Sequence, residues 1–339
     1  MQIKISNLLR YRNIWLGFAM IWILFVHSGF EFSFIPLIYF QMWGYAGVDI
    51  CLFASGIGCY YSLSKDPDIL NFMKRRVRRL APAYLCFIIP WLIFQSFTSP
   101  LPFPIILGNL LGIQHLTGLW GSFNWYISAL ILYYLLAPYF KALVDRTEKA
   151  LAHAVIVVGL MVISIPFWTV NPYIIIMSRL GILYLGMLLA KHSQRGDSIG
   201  RNGLIAILFA MTAGFAGLDF CYRYLTDYLW SHGLYWYPCT FTTPGLCILI
   251  SLAASALEKR SFTRWVTKGL SFLGTYSFEI YLLHLPLYEA LPALLESRSL
   301  PVSKNLIWLG TFPVVLLGSF LLKTVSSSIT RRLGKYRAT

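Results

Sequence analysis

The sequence predicts an all-α, polytopic integral membrane protein of about ten transmembrane helices with both termini cytoplasmic. Three observations carry that prediction. The chain is 58% hydrophobic and only 12% charged, with a mean hydropathy of +0.65, whereas about a quarter of residues in a soluble domain are charged. Apolar runs long enough to cross a bilayer recur along its whole length, and the cations fall almost entirely in alternate connections between them.

Runs of about 17–25 apolar residues, the length of a helical span, fall near 14–30, 41–62, 80–98, 123–140, 150–168, 173–190, 203–219, 238–257, 270–289 and 305–323. Segment 101–118 is apolar too, but it follows Pro100, carries Pro102 and Pro104, and is broken again by glycine. Irregular backbone at membrane depth is tolerated only where protein buries it, so this segment is expected to be a re-entrant or interfacial loop. With the N-terminus inside, all 28 Lys and Arg residues except Arg179, Arg223, Arg298 and Lys304 fall on the cytoplasmic side. That asymmetry is the positive-inside pattern, and the net charge of +15 is thereby a topology signal. Nucleic-acid binding has no further support, since the sequence holds no basic domain outside the apolar runs and no zinc or helix-turn-helix pattern.

The whole chain, 1–339, is expected to form a single membrane domain, because its longest non-apolar stretches, 63–79 and 191–202, are loop-sized. The first span is expected to remain as a helix, since Ser28-Gly29-Phe30-Glu31 is a poor signal-peptide cleavage site. The six cysteines show no metal-ligand spacing, so no metal is expected. Cys221 and Cys239 fall at the outer ends of adjacent spans, where a disulfide is conceivable.

The polar residues inside the apolar runs point toward function, because placing them in a bilayer costs energy that pairing or function offsets. Lys74, Arg75, Arg76, Arg78 and Arg79 run directly into Leu80-Ala81-Pro82-Ala83-Tyr84. Such a cluster either fixes topology and holds anionic lipid or forms an anion site at the membrane face. His27 lies about 22 Å above Arg12 at the helical rise, in the outer half of the hydrocarbon core. His284, Glu279, Asp49 and Arg179 map to the same half. Inner cations combined with an outer histidine and carboxylates suggest a polyanionic ligand entering from the cytoplasm and proton transfer near the far side. For each residue the alternative is a polar side chain hydrogen-bonded within a helical bundle. Trp120, Trp125, Tyr126, Trp230, Tyr235, Trp236 and Tyr237 lie at or near outer ends, either as an aromatic belt or as a sugar-stacking platform.

These residues resemble a known family. His27 closing the first span, Gly47-Val48-Asp49-Ile50 with Ser55-Gly56, the stretch from Phe72 to Tyr84, Trp125-Tyr126-Ile127-Ser128, Arg179-Leu180 with Leu185-Gly186, and the stretch from Tyr276 to His284 are similar in order and spacing to the type-three integral-membrane acyltransferases. The resemblance covers nearly the whole chain. It implies an O-acyltransferase, usually an O-acetyltransferase, in a bacterial plasma membrane, moving an acyl group from cytoplasmic acetyl-CoA to a hydroxyl of a glycan or lipid-linked saccharide. It also implies that His27 is catalytic and that Arg76 and Arg79 support the CoA end.

On that reading Asp49 and Glu279 are further catalytic candidates that could orient the His27 ring. Arg75 and Arg179 join Arg76 and Arg79 as donor-binding candidates, and Trp125, Tyr126 and His284 are acceptor-binding candidates. The chain departs from many members at Leu16 and Leu130, where an Arg and a Glu are common. Asp49, Glu279 or Arg179 would compensate. Without a fused extracellular esterase-like domain, the chain would complete the transfer itself or hand the acyl group to a separate protein, and a homo-oligomer is a further possible partner. Direct attack by a hydroxyl deprotonated by His27 and a transient acetyl-histidine are both open. Two other functions fit the same composition: a transporter or flippase for an anionic or lipid-linked glycan precursor, and a non-catalytic subunit of a glycan-export complex. Paired broken helices in inverted repeats, the usual mark of the former, are not apparent.

Overall fold

The computed structural model describes residues 2–118, 124–170, 173–297 and 303–335; Trp120 and Arg298 lie outside them. The helices used below are α1 (Arg12–His27), α2 (Ile35–Met42), α3 (Ala46–Lys65), α4 (Ile69–Ser96), α5 (Phe103–Leu110), α6 (Trp125–Arg146), α7 (Ala150–Val162), α8 (Leu180–Gln194), α9 (Arg201–Tyr224), α10 (Trp236–Glu258), α11 (Arg264–Thr275), α12 (Ser277–Ser297) and α13 (Lys304–Lys335). One antiparallel bridge pairs Ile3 with Ile199 and Lys4 with Ser198. Eight helical stretches among the described residues are long and apolar enough to cross a membrane, and they coincide with eight of the expected runs.

The other two expected runs fold differently. Residues 14–30 become α1, only 16 residues long. It ends where it does because Ser28 donates its hydroxyl to the Phe25 carbonyl and Gly29 adopts φ +61°, the left-handed backbone that stops a helix. The run 270–289 is divided at Tyr276 between α11 and α12. The basic stretch expected as a connection is instead the first part of α4, continuous with the span that follows. Asp68 starts that helix by accepting from the Asn71 amide at 2.6 Å. Segment 101–118 folds as α5 and a short 3-10 turn, buried against its surroundings through Asn109 and Gln114. Tyr84 donates its hydroxyl to the Asn109 carbonyl, and Ser128 donates to the Gly112 carbonyl at 2.7 Å. The irregular backbone is thereby satisfied by protein. All six cysteines are free thiols, so no disulfide joins Cys221 and Cys239.

The chain forms two compact units. The first comprises Met1–Ala19, Ala46–Phe72 and Ala129–Thr275. At its centre α3 and α8 approach so closely that a methyl on Gly56 would strike the Leu183 carbonyl and one on Gly186 the Phe53 carbonyl. Small residues permit this approach where lipid provides no hydrophobic drive for helices to associate. Likewise Gly17 lies against the Leu270 carbonyl and Gly274 against that of Asn13, seating α11 on the start of α1. The glycines of two sequence motifs, Ser55-Gly56 and Leu185-Gly186, therefore serve packing.

The second unit comprises Met20–Tyr45, Met73–Ser128 and Tyr276–Thr339. Its core gathers Tyr84, Phe87, Ile88, Leu92, Ile127 and Leu282 from α4, α6 and α12.

Candidate active site

In the second unit, the end of α1 and the middle of α12 bring two histidines together. The His27 and His284 ring centroids lie 5.1 Å apart. Nδ1 of His27 lies 2.9 Å from the Ile23 carbonyl, and Nδ1 of His284 lies 2.6 Å from that of Tyr281. A carbonyl oxygen only accepts, so each Nδ1 carries the proton and, in the neutral ring, each Nε2 keeps its lone pair. His284 is 1% exposed, and its Nε2 has no hydrogen-bond partner among the described residues. His27 is half-buried. The pair is suited to taking and returning a proton at Nε2.

A run of rings extends from this pair. Tyr45 meets His27 edge-on at 5.3 Å, while Tyr281 lies 5.4 Å from His284 and 4.7 Å from Tyr126. Trp125 follows at 6.0 Å from Tyr126. Four residues singled out in the sequence, His27, His284, Tyr126 and Trp125, thus belong to one aromatic wall. Tyr281 and Tyr45 complete it. Tyr281 was detectable in principle, because it stands one helical turn before His284. Tyr45 carries no such local signal.

Glu279, on α12 and 6% exposed, lies 3.8 Å from Lys323 Nζ on α13. It makes no hydrogen bond to His27 among the described residues. The Ile23 carbonyl orients that ring. On α4, Arg76 is 6% exposed whereas Arg79 is exposed and Arg75 half-buried. Their spacing on a continuous helix keeps Arg76 and Arg79 one turn apart.

Asp49 and Arg179 belong to the first unit and pair with each other. Arg179 Nε donates to Asp49 Oδ1 at 2.8 Å, Nη1 donates to the Ile175 carbonyl at 3.0 Å, and the guanidinium lies 4.8 Å from the Trp236 ring. Both residues are at most 1% exposed. This arrangement favours a helix-packing role for Asp49 and gives Arg179 a carboxylate where a donor phosphate was expected. Leu16 and Leu130 are buried apolar residues of the same unit. The aromatic stretch 228–237 packs largely on itself there, with Trp230 stacked on Tyr235 at 5.2 Å and Tyr237 accepting from Trp168 Nε1 at 3.0 Å.

A helical chain with eight membrane-length apolar stretches among its described residues has the make-up of a polytopic integral-membrane protein, and it sets two imidazoles side by side. The chain belongs to the acyltransferase domain family of type three, whose model matches residues 14–324. It is accordingly a membrane acyltransferase. Neither a curated protein nor a solved structure matches the chain.

Proposed function

We propose that the protein moves an acetyl group from cytoplasmic acetyl-CoA to a hydroxyl of an exported or cell-surface glycan. The observation that carries this reading is the His27–His284 pair with both Nδ1 atoms committed to backbone carbonyls, in a chain of an acyltransferase family. His27 Nε2 takes the proton of the acceptor hydroxyl as its oxygen attacks the thioester carbonyl. The tetrahedral intermediate collapses, the carbon–sulfur bond breaks, and the same proton passes to the departing CoA thiolate. A positioned base of this kind contributes about 10²–10⁴-fold in rate. The buried His284 ring holds His27 from one side and Tyr45 from another. Arg76 and Arg79 supply the guanidinium groups for the CoA phosphates, which paired, charge-assisted hydrogen bonds suit. Tyr281 and Tyr126 are buried behind Trp125, and the partly exposed Trp125 ring is the face proposed for stacking a sugar.

The test of the donor is isothermal titration of acetyl-CoA into detergent-purified protein, beside Arg76→Ala/Arg79→Ala. Saturable binding that the double variant loses supports the reading. A folded wild-type protein that does not bind acetyl-CoA overturns it.

A further inference from the structure

We propose that a cavity where α1, α10 and α11 meet binds the phosphate headgroup of an anionic phospholipid. The cavity, of about 520 Å³, lies wholly within the first unit and is lined by Arg10, Tyr11, Asn13, Glu258, Arg264 and Lys268, among others. Its size falls among those of small-molecule sites, about 300–1,000 Å³. By the distribution of cations along the chain, it opens toward the cytoplasmic side.

The charge balance selects the ligand class. The one carboxylate, Glu258, already accepts from Arg10 Nη2 at 3.2 Å and from the Tyr11 hydroxyl at 3.1 Å. Arg264 and Lys268, four residues apart on α11, share a helix face and bring two more cations to the same cavity. Arg264 donates to the Glu258 backbone carbonyl at 3.3 Å, whereas Lys268 makes no hydrogen bond or ion pair among the described residues. With Arg10 paired to Glu258, Arg264 and Lys268 leave a surplus of two positive charges, which suits a phosphate diester.

The neighbouring surface selects the source. Phe262, Trp265 and Phe272 are 72%, 71% and 52% exposed on α11 and the turn before it. Large aromatic side chains beside cations on a short helix are the composition of an element lying in the headgroup region. The close approaches of Gly17 to Leu270 and of Gly274 to Asn13 fix α11 against α1, so the cavity is formed before any lipid arrives. None of its lining residues belongs to the proposed donor or acceptor sites, so the two readings fail independently.

The experiment is native mass spectrometry of the full chain in detergent, titrated with phosphatidylglycerol and, separately, phosphatidylcholine. Retention of phosphatidylglycerol over phosphatidylcholine is expected. The variant Arg264→Ala/Lys268→Ala should weaken that retention about 25-fold, since each cation near a lipid surface contributes about a factor of five. Lys268→Gln removes an exposed side chain and keeps the test if the double variant does not fold, with about a fivefold loss expected. Lys149→Gln, an equal charge loss at another exposed position, should change nothing. Equal retention of both lipids, or no loss in either variant, overturns the proposal. Displacement of phosphatidylglycerol by millimolar inorganic phosphate overturns the lipid assignment in favour of a soluble phosphate ligand.

Discussion

In the first unit Asp49 and Arg179 are buried as an ion pair, and Lys191, 3% exposed, donates to the Val144 and Thr147 carbonyls at 2.7 Å each. In the second unit His284 is as deeply buried, yet its Nε2 faces the interior with no hydrogen-bond partner among the described residues. A buried charge survives when its partner offsets the cost of leaving water, so the first arrangement holds helices together. Asp49 Oδ2 is likewise buried without a hydrogen-bond partner among the described residues, so an open polar atom occurs in both units, and the His284 nitrogen is set apart by the second imidazole beside it. Within one membrane chain, buried polarity alone therefore does not mark the active site. What stands beside the buried group separates the two units: a guanidinium in the first and a second imidazole in the second.

The sharpest break of this comparison is His27→Ala. Acyl transfer by purified protein should fall by about 10²–10⁴-fold, the usual contribution of a positioned base, with little change in thermal unfolding. Full activity in that variant would remove the proposed base. Asp49→Ala should do the opposite. It strands the Arg179 guanidinium and should cost about 3–5 kcal/mol in stability, read as a collapse of the melting temperature in detergent. Asp49→Leu combined with Arg179→Met should recover most of that loss; failure to recover would assign the pair a role beyond packing. Gly56→Ala forces α3 away from the Leu183 carbonyl and should cost about 1–3 kcal/mol by the same assay.

The smallest effect is expected at Glu148, in the connection before α7. Hydrogen bonds from Arg195 and then Lys191 draw its carboxyl down from 4.5 to about 2. A folded-state value below the unfolded one means that its contribution is present above about pH 4.5 and is lost as the pH falls toward 2. The side chain is 60% exposed, so solvent screens most of the effect. Glu148→Gln should therefore leave the melting temperature at pH 7 nearly unchanged and slightly flatten its decline between pH 4.5 and 2. A wild-type curve that the substitution does not alter in that window would show the cluster to be energetically silent.

Much of the candidate site could be nominated from the chain because its residues sit in short motifs. His27, His284, Tyr126 and Trp125 were identifiable from sequence, and the structure gathers them on one wall. Tyr45 was not, since its relation to His27 runs through the 3-10 turn that leads into α3 rather than through a shared helix face. Asp49 was also ambiguous, because its partner lies 130 positions away and no local pattern announces it.

The sequence by itself determined what depends on composition and near neighbours: the helical class, eight of the membrane-length runs, the distribution of cations and the family. Hydropathy and charge act on each segment separately, so their pattern can be read one stretch at a time. Only the tertiary structure decided that α1 is short, that the expected ninth run breaks at Tyr276, that Arg179 holds Asp49, and that two distant histidines lie side by side with each Nδ1 on a backbone carbonyl. Those outcomes rest on hydrogen bonds and close packing between helices far apart in the chain. Such contacts exist only once the whole chain has folded.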